Sequence, residues 1–273
     1  MREERRAQPR AGIPLRALVP NAITVLALCS GLTGVRFAIS ASQSGEQGLW
    51  ERSLFFVIVA AVLDGLDGRI ARALKAQTRF GAELDSLSDA IAFGVSPAII
   101  IYLWSLQGLA PYGWIFALAL AVCAALRLAR FNANIDAEEQ PHKSAGFLTG
   151  VPAPAGAGLA LLPVYLWLAT GEEIFRNPML VAPWAGLVAF LMISSVATFS
   201  WNALRVRSHV RLTALVVIAL VGAALFSAPW PTLSAMAALY VLLIPFSMLS
   251  YAAVRRRRGA AVAAQPPAGP PSA

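Results

Sequence analysis

The stretch that decides the fold runs from Leu63 to Asp89 and reads LDGLDGRIARALKAQTRFGAELDSLSD. It holds four aspartates, Asp64, Asp67, Asp85 and Asp89, in segments otherwise suited to lipid. At about 100° per residue in an α-helix, Asp64 and Asp67 are about 60° apart and Asp85 and Asp89 about 40° apart, so each pair shares a helix face. The basic segment between the pairs is short, which makes the two helices antiparallel neighbours. At about 1.5 Å of rise per residue, Asp67 lies about 7.5 Å and Asp64 about 12 Å below Arg72. All four carboxylates are expected to converge just inside one membrane face.

The chain around this stretch is far too apolar for a soluble domain. Of its 273 residues, 58% are hydrophobic and only 13% are charged, where soluble proteins carry about 25% charged residues. A bilayer core of about 30 Å needs about 20 apolar helical residues. The apolar blocks, roughly 18–40, 52–74, 84–106, 112–130, 151–170, 179–199, 212–228 and 232–253, predict an all-α, polytopic integral membrane protein of about eight transmembrane helices. Pro229 and Pro231 separate the last two blocks by few residues, so a re-entrant hairpin is an alternative there. The first block reads as a span and not as a cleaved leader. Val19-Pro20-Asn21 is expected to open it, because proline suits the first turn of a helix. Cys29 and Cys123 both sit in apolar blocks and read as small core residues.

The net charge of +8 reflects topology and gives no sign of nucleic-acid binding. Arginines and lysines precede the first block, fill the two–three, four–five and six–seven loops and come after the eighth block. Only Arg52 and Arg176 belong to the alternate loops. The positive-inside rule then makes both termini cytoplasmic and brings the acidic site to the cytoplasmic face of the inner membrane. The basic residues also suit contact with anionic membrane lipids. Residues 1–12 are expected to be a mobile cytoplasmic tail, and 255–273 a basic, Pro/Ala-rich one.

Four carboxylates gathered in an apolar span are expensive. Insertion scales give about +2.5 to +3.5 kcal/mol for an aspartate at a span centre, so four approach ~10 kcal/mol, and less near the interface. Divalent cations remove both the desolvation cost and the mutual repulsion. Hard oxygen ligands in this number suit Mg²⁺ or Mn²⁺, two of which can be shared among Asp64, Asp67, Asp85 and Asp89. Metal held this way binds substrate phosphates, for which Arg72 offers planar donors. Gly68 and Gly81 read as points where a ligand approaches the backbone, and Gly65 as a helix-packing position. The competing structural reading pairs the carboxylates with Arg69, Arg72 and Arg79.

These residues match a known signature. Asp64, Asp67-Gly68, Ala71-Arg72, Gly81, Asp85 and Asp89 fit D-x-x-D-G-x-x-A-R-x(8)-G-x-x-x-D-x-x-x-D at every position, and the chain thereby resembles the CDP-alcohol phosphatidyltransferase family. The runs VPNAIT (Val19–Thr24), LRLARFN (Leu126–Asn132) and GFLTGVPAPAGAG (Gly146–Gly158) look like the bacterial, membrane-embedded (type II) phosphatidylserine synthase branch of that family. The resemblance implies a six-helix membrane core within residues 13–200, with 201–254 forming two additional helices. It implies transfer of a phosphatidyl group from CDP-diacylglycerol to L-serine with release of CMP, in phospholipid biosynthesis. By analogy Asp64, Asp67 and Asp85 are metal ligands. Asp89 is the general base and a further contact to metal, and Gly68, Ala71, Arg72 and Gly81 line the CDP portion. A homodimer is expected from the family alone.

The acceptor is read from Arg127 and Arg130, which are three residues apart at the cytoplasmic end of span four and suit the serine carboxylate. Asn132 is a lesser candidate. His142, Lys143 and His209 read as loop residues. The alternatives are another acceptor (glycerol-3-phosphate, inositol phosphate or choline), a membrane prenyltransferase and, more distantly, a cation transporter. A prenyltransferase would separate its two aspartate-rich motifs widely. A transporter would place its carboxylates at the midplane between broken helices.

Overall fold

The structure is a computed structural model that describes residues 15–133, 147–194, 197–199 and 211–263. The expected tail 1–12, His142, Lys143 and His209 lie outside the described residues. Every described element is helical except one antiparallel pair of three-residue strands. The chain divides between Ser96 and Pro97 into two compact units.

The first unit contains α1 (Leu15–Ser44), α2 (Gln47–Ala73), α3 (Arg79–Asp89) and a π-helical segment, Ala90–Val95. Helix α1 buries Ala27, Ala38 and Ala41 and exposes Leu26, Leu32 and Ile39. Small residues inward and large apolar residues outward is the pattern of a helix whose surroundings are lipid. The close approach it permits is visible where α1 meets α2: buried Ser53 donates its hydroxyl to the Gly34 carbonyl at 2.8 Å. The helix starts at Leu15, so Pro20 lies inside it and does not open it as expected.

The end of α2 sets the direction of the chain beyond it. Lys75 takes a left-handed conformation (φ 50°). The Lys75 N–H then reaches the Arg72 carbonyl at 3.2 Å, and the Ala76 N–H reaches that of Ala71 at 2.9 Å. This paired closure stops the helix and turns the chain back. Thr78 caps α3, its side chain accepting from the Gly81 N–H at 3.0 Å. After Asp89 the helix widens, and the Ser96 N–H bonds five residues back to Ile91. Pro97 comes directly after this turn. Its missing N–H and its ring disfavour regular α-helix over the preceding turn. Gly31 of α1 lies against the widened turn: a Cβ there would come within 2.9 Å of the Ala92 Cα.

The second unit contains α4 (Ser96–Trp104), α5 (Gly113–Ala133), β1 (Phe147–Thr149), α6 (Ala153–Ala160), α7 (Leu162–Thr170), α8 (Pro178–Ile193), β2 (Ala197–Phe199), α9 (Arg211–Ser227) and α10 (Pro229–Ala263), with α4 beginning at the unit boundary. Strands β1 and β2 pair Leu148 with Thr198; the sixth apolar block therefore stops being helical at Ile193, short of the expected 199. Helices α6 and α7 form the fifth block, bent by 42° at Leu161. Pro163 accounts for the break, since it can offer no N–H to the turn before it. Arg176, basic in one of the loops otherwise poor in basic residues, is held structurally. Its Nε donates to the Trp104 carbonyl at 2.9 Å, its guanidinium lies 5.7 Å from the Trp167 ring, and Ser105 donates to its carbonyl at 2.7 Å. Cys29 is exposed rather than a core residue, and both cysteines are free thiols.

Among the described residues, four helices are long and apolar enough to cross a membrane: Leu18–Ser44, Arg79–Trp104, Gly113–Ala133 and Pro229–Ser247. The bent pair α6–α7 makes a fifth if taken as one span. The other blocks fall short for identifiable reasons. Helix α2 is 27 residues long but carries the acidic and basic residues of the signature, and α8 has only 16 residues. The last two blocks are separate helices joined at Ala228, and α10 continues through Arg255–Arg258 to Ala263.

The Gly31 contact gives a sharp expectation. In Gly31→Val the new side chain meets backbone that cannot step aside, and overpacking costs about 1–3 kcal/mol. Thermal unfolding in detergent should show a clear loss. Gly65→Ala, at a position with nothing within 4 Å of a new Cβ, should unfold at or above the parent temperature.

Candidate functional site

Asp64 and Asp67 come from α2 and Asp85 from α3. Each offers a carboxylate oxygen, and the three oxygens lie within 4.8 Å of one another. Asp67 is only 5% exposed, and Asp64 and Asp85 are half-buried. Asp89, one helical turn beyond Asp85, brings its carboxyl group against that of Asp64. It joins the cluster at its edge, outside the triad itself. Among the described residues, the charged groups acting on Asp64, Asp85 and Asp89 are other aspartates. Arg69, Arg72 and Arg79 are exposed, so the structure does not neutralise the cluster by pairing it with arginines.

The donor set fits a hard divalent cation. Three carboxylate oxygens would supply part of the oxygen shell that Mg²⁺ prefers. A buried cluster of one sign without basic partners is the electrostatic setting that such an ion stabilises.

Beside the triad is a pocket of about 190 Å³, with Asp67 and Asp85 in its wall. Three signature residues, Gly68, Ala71 and Gly81, also line it. The two glycines differ. A Cβ on Gly68 would meet nothing within 4 Å, which leaves that wall open to a ligand. A Cβ on Gly81 would come within 2.8 Å of Asn21 Oδ1 and 3.2 Å of Thr78 Oγ1, so Gly81 lets α3 approach α1. Gly65 has no neighbour within 4 Å and packs against nothing among the described residues. Arg72 is outside the lining; its Nε donates to the Gly68 carbonyl at 3.0 Å, which anchors the guanidinium next to the pocket wall.

Residues that sequence reasoning left without a role complete the wall. Asn21 and Thr24 reach it from α1, and Gln77 and Thr78 from the α2–α3 turn. Thr24 donates to Asp67 Oδ2 at 2.6 Å, and the Ser88 hydroxyl donates to the Thr24 carbonyl at 3.1 Å. The available signal was the spacing of Asn21 and Thr24, two polar residues on one face of an apolar helix.

Arg127 and Arg130 occupy the last turns of α5, in the second unit. Arg127 is half-buried and Arg130 exposed. Arg130 Nη1 donates to the Ile193 carbonyl at 3.2 Å and so serves the C-terminal end of α8. Asn132 is exposed in the final turn of α5.

Known proteins agree with this arrangement. The profile described as CDP-alcohol phosphatidyltransferase matches residues 17–192, and a second, CDP-alcohol phosphatidyltransferase 2, matches residues 209–245. A Mycobacterium tuberculosis protein named CDP-diacylglycerol--serine O-phosphatidyltransferase is 38% identical over 241 residues, which is 88% of this chain and 81% of that relative. A Helicobacter pylori protein of the same name is 30% identical over 230 residues, 82% of this chain and 88% of the relative. One from Saccharomyces cerevisiae is 32% identical over 146 residues, 52% of each. An acidic triad beside a pocket, the intact signature and matches along most of the sequence lead to one conclusion: the chain is a membrane enzyme belonging to the CDP-alcohol phosphatidyltransferase family.

Proposed function

We propose that the protein transfers the phosphatidyl group of CDP-diacylglycerol to L-serine, releasing CMP. The observation that carries this reading is the Asp64–Asp67–Asp85 triad, with Asp67 and Asp85 in the wall of a pocket, in a chain similar over most of its length to proteins named for that reaction. Asp64, Asp67 and Asp85 would hold Mg²⁺ or Mn²⁺, two ions in this reading, with Asp89 as a further contact. Bound there, such ions would supply positive charge against the diphosphate and departing CMP. Gly68, Ala71 and Gly81 leave room for the CDP portion, and Arg72 directs donors to phosphate oxygens. Asp89 takes the proton of the serine hydroxyl. As the serine oxygen bonds to the lipid-side phosphorus, the bond from that phosphorus to the CMP oxygen breaks.

Arg127 orients the serine carboxylate, assisted by Arg130. The chain crosses the inner membrane about eight times, counting α2, α8 and α9 as spans. Residues 13–200 form a six-helix catalytic domain and 201–254 two further helices, the part matched by the second profile. Both termini are cytoplasmic, as the distribution of basic residues favours. The pocket opens near the cytoplasmic face, where CDP and serine are soluble and acyl chains stay in lipid. The active form is a homodimer.

Three measurements test this reading. Purified protein given CDP-diacylglycerol and Mn²⁺ should release CMP with serine and not with glycerol-3-phosphate, inositol phosphate or choline, and EDTA should stop it. Release with a different acceptor reassigns the substrate; release that survives EDTA removes the cation from the reaction. Asp89→Asn should lower kcat by about 10²- to 10⁴-fold, the usual worth of a general base, with CDP-diacylglycerol binding retained. Near-normal turnover would remove Asp89 from that role. Arg127→Ala should raise the KM for serine by about 10- to 100-fold, the range for losing a hydrogen bond to a charged group. An unchanged KM would return Arg127 to the set of residues that fix topology.

A further inference from the structure

We propose that Thr24 is a positioning residue for the acidic cluster: its hydroxyl locks the Asp67 carboxylate in the orientation that receives a divalent cation. The inference rests on the reading of the triad as a cation site.

Thr24 and Asp67 are each 5% exposed, and they come from different helices, 43 residues apart in sequence. The hydroxyl has one proton and two acceptors within reach, Asp67 Oδ2 at 2.6 Å and the Pro20 carbonyl at 3.1 Å. In an α-helix the Pro20 carbonyl already accepts the backbone N–H of Thr24. The carboxylate is nearer, charged and buried, so it takes the proton in a charge-assisted bond, about twice as strong as a neutral one. With Oδ2 engaged by α1, the carboxylate cannot rotate freely and stays beside the Asp64 and Asp85 carboxylates. Groups that hold a metal-binding carboxylate in place in this way govern affinity from outside the coordination shell.

Thr24 is itself held. The Ser88 hydroxyl bonds to its carbonyl, and Ser88 adjoins Asp89 on the same helix as Asp85. One α1 residue is thus tied through its backbone to the α3 carboxylate helix and through its side chain to the α2 carboxylate. Thr24 sets the separation of the two acidic helices at the point where the ion would sit.

The test is a Mn²⁺ titration of purified protein in detergent, without substrates, following free Mn²⁺ by electron paramagnetic resonance. Thr24→Val keeps size and shape and removes the donor; it should weaken Mn²⁺ binding about 10- to 100-fold. Thr24→Ser restores the hydroxyl and should restore affinity. Thr24→Ala replaces the valine variant if that protein does not fold. Unchanged affinity in the donor-less variant, even with a lowered unfolding temperature, overturns the proposal and leaves Thr24 as a helix-packing residue. Asp67→Asn separates the two readings. If wild type binds no Mn²⁺, or Asp67→Asn binds it equally well, the cation site itself is wrong and the role of Thr24 falls with it.

Discussion

Negative charge confined among apolar helices is the constraint on which the rest of this structure depends. Unit charges 4.8 Å apart repel by about 3 kcal/mol or more per pair at an effective dielectric constant near 20. Arg69, Arg72 and Arg79 are exposed and do not relieve this. A cation with hard-ligand preference reverses the sign of the interaction, and the same ion attracts a diphosphate. Apo-state repulsion and substrate attraction are thus two aspects of one charge arrangement. Keeping Asp67 buried makes the effect larger than the same three side chains would produce at a surface.

Helices α1, α2 and α3 are arranged to hold that arrangement without hydrophobic force, which lipid surroundings do not supply between helices. They use close backbone contact and short hydrogen bonds instead. Gly31 admits the widened turn after Asp89. Ser53 bonds to the Gly34 carbonyl, Ser88 to the Thr24 carbonyl, and Thr24 to Asp67. Each of these hydroxyls is buried, where an unmade bond is expensive. The first helix acts as a brace for the acidic pair of helices behind it.

Much of this was legible in the sequence because the signature lies in one contiguous stretch, and helical spacing alone places Asp64 with Asp67 and Asp85 with Asp89. The antiparallel return through a short basic turn brought the two pairs together. Features that could not be read had non-local or competing causes. The contact of Thr24 with Asp67 joins residues 43 apart, and no periodicity reports it. The widening at Ala90–Val95 requires knowing that Pro97 acts within a continuing helix and does not terminate it. Strands β1 and β2 are three residues each and sit beside apolar runs that resemble span ends. Counting apolar blocks overestimated the helices that meet a length and composition test, because charge placed for chemistry in α2 and short length in α8 both depart from the usual span.

Every residue lining the pocket lies between Pro20 and Asp85, so the whole wall is encoded in the first third of the chain. A substitution in the remaining two-thirds can reach this wall only through the packing of helices that do not line it.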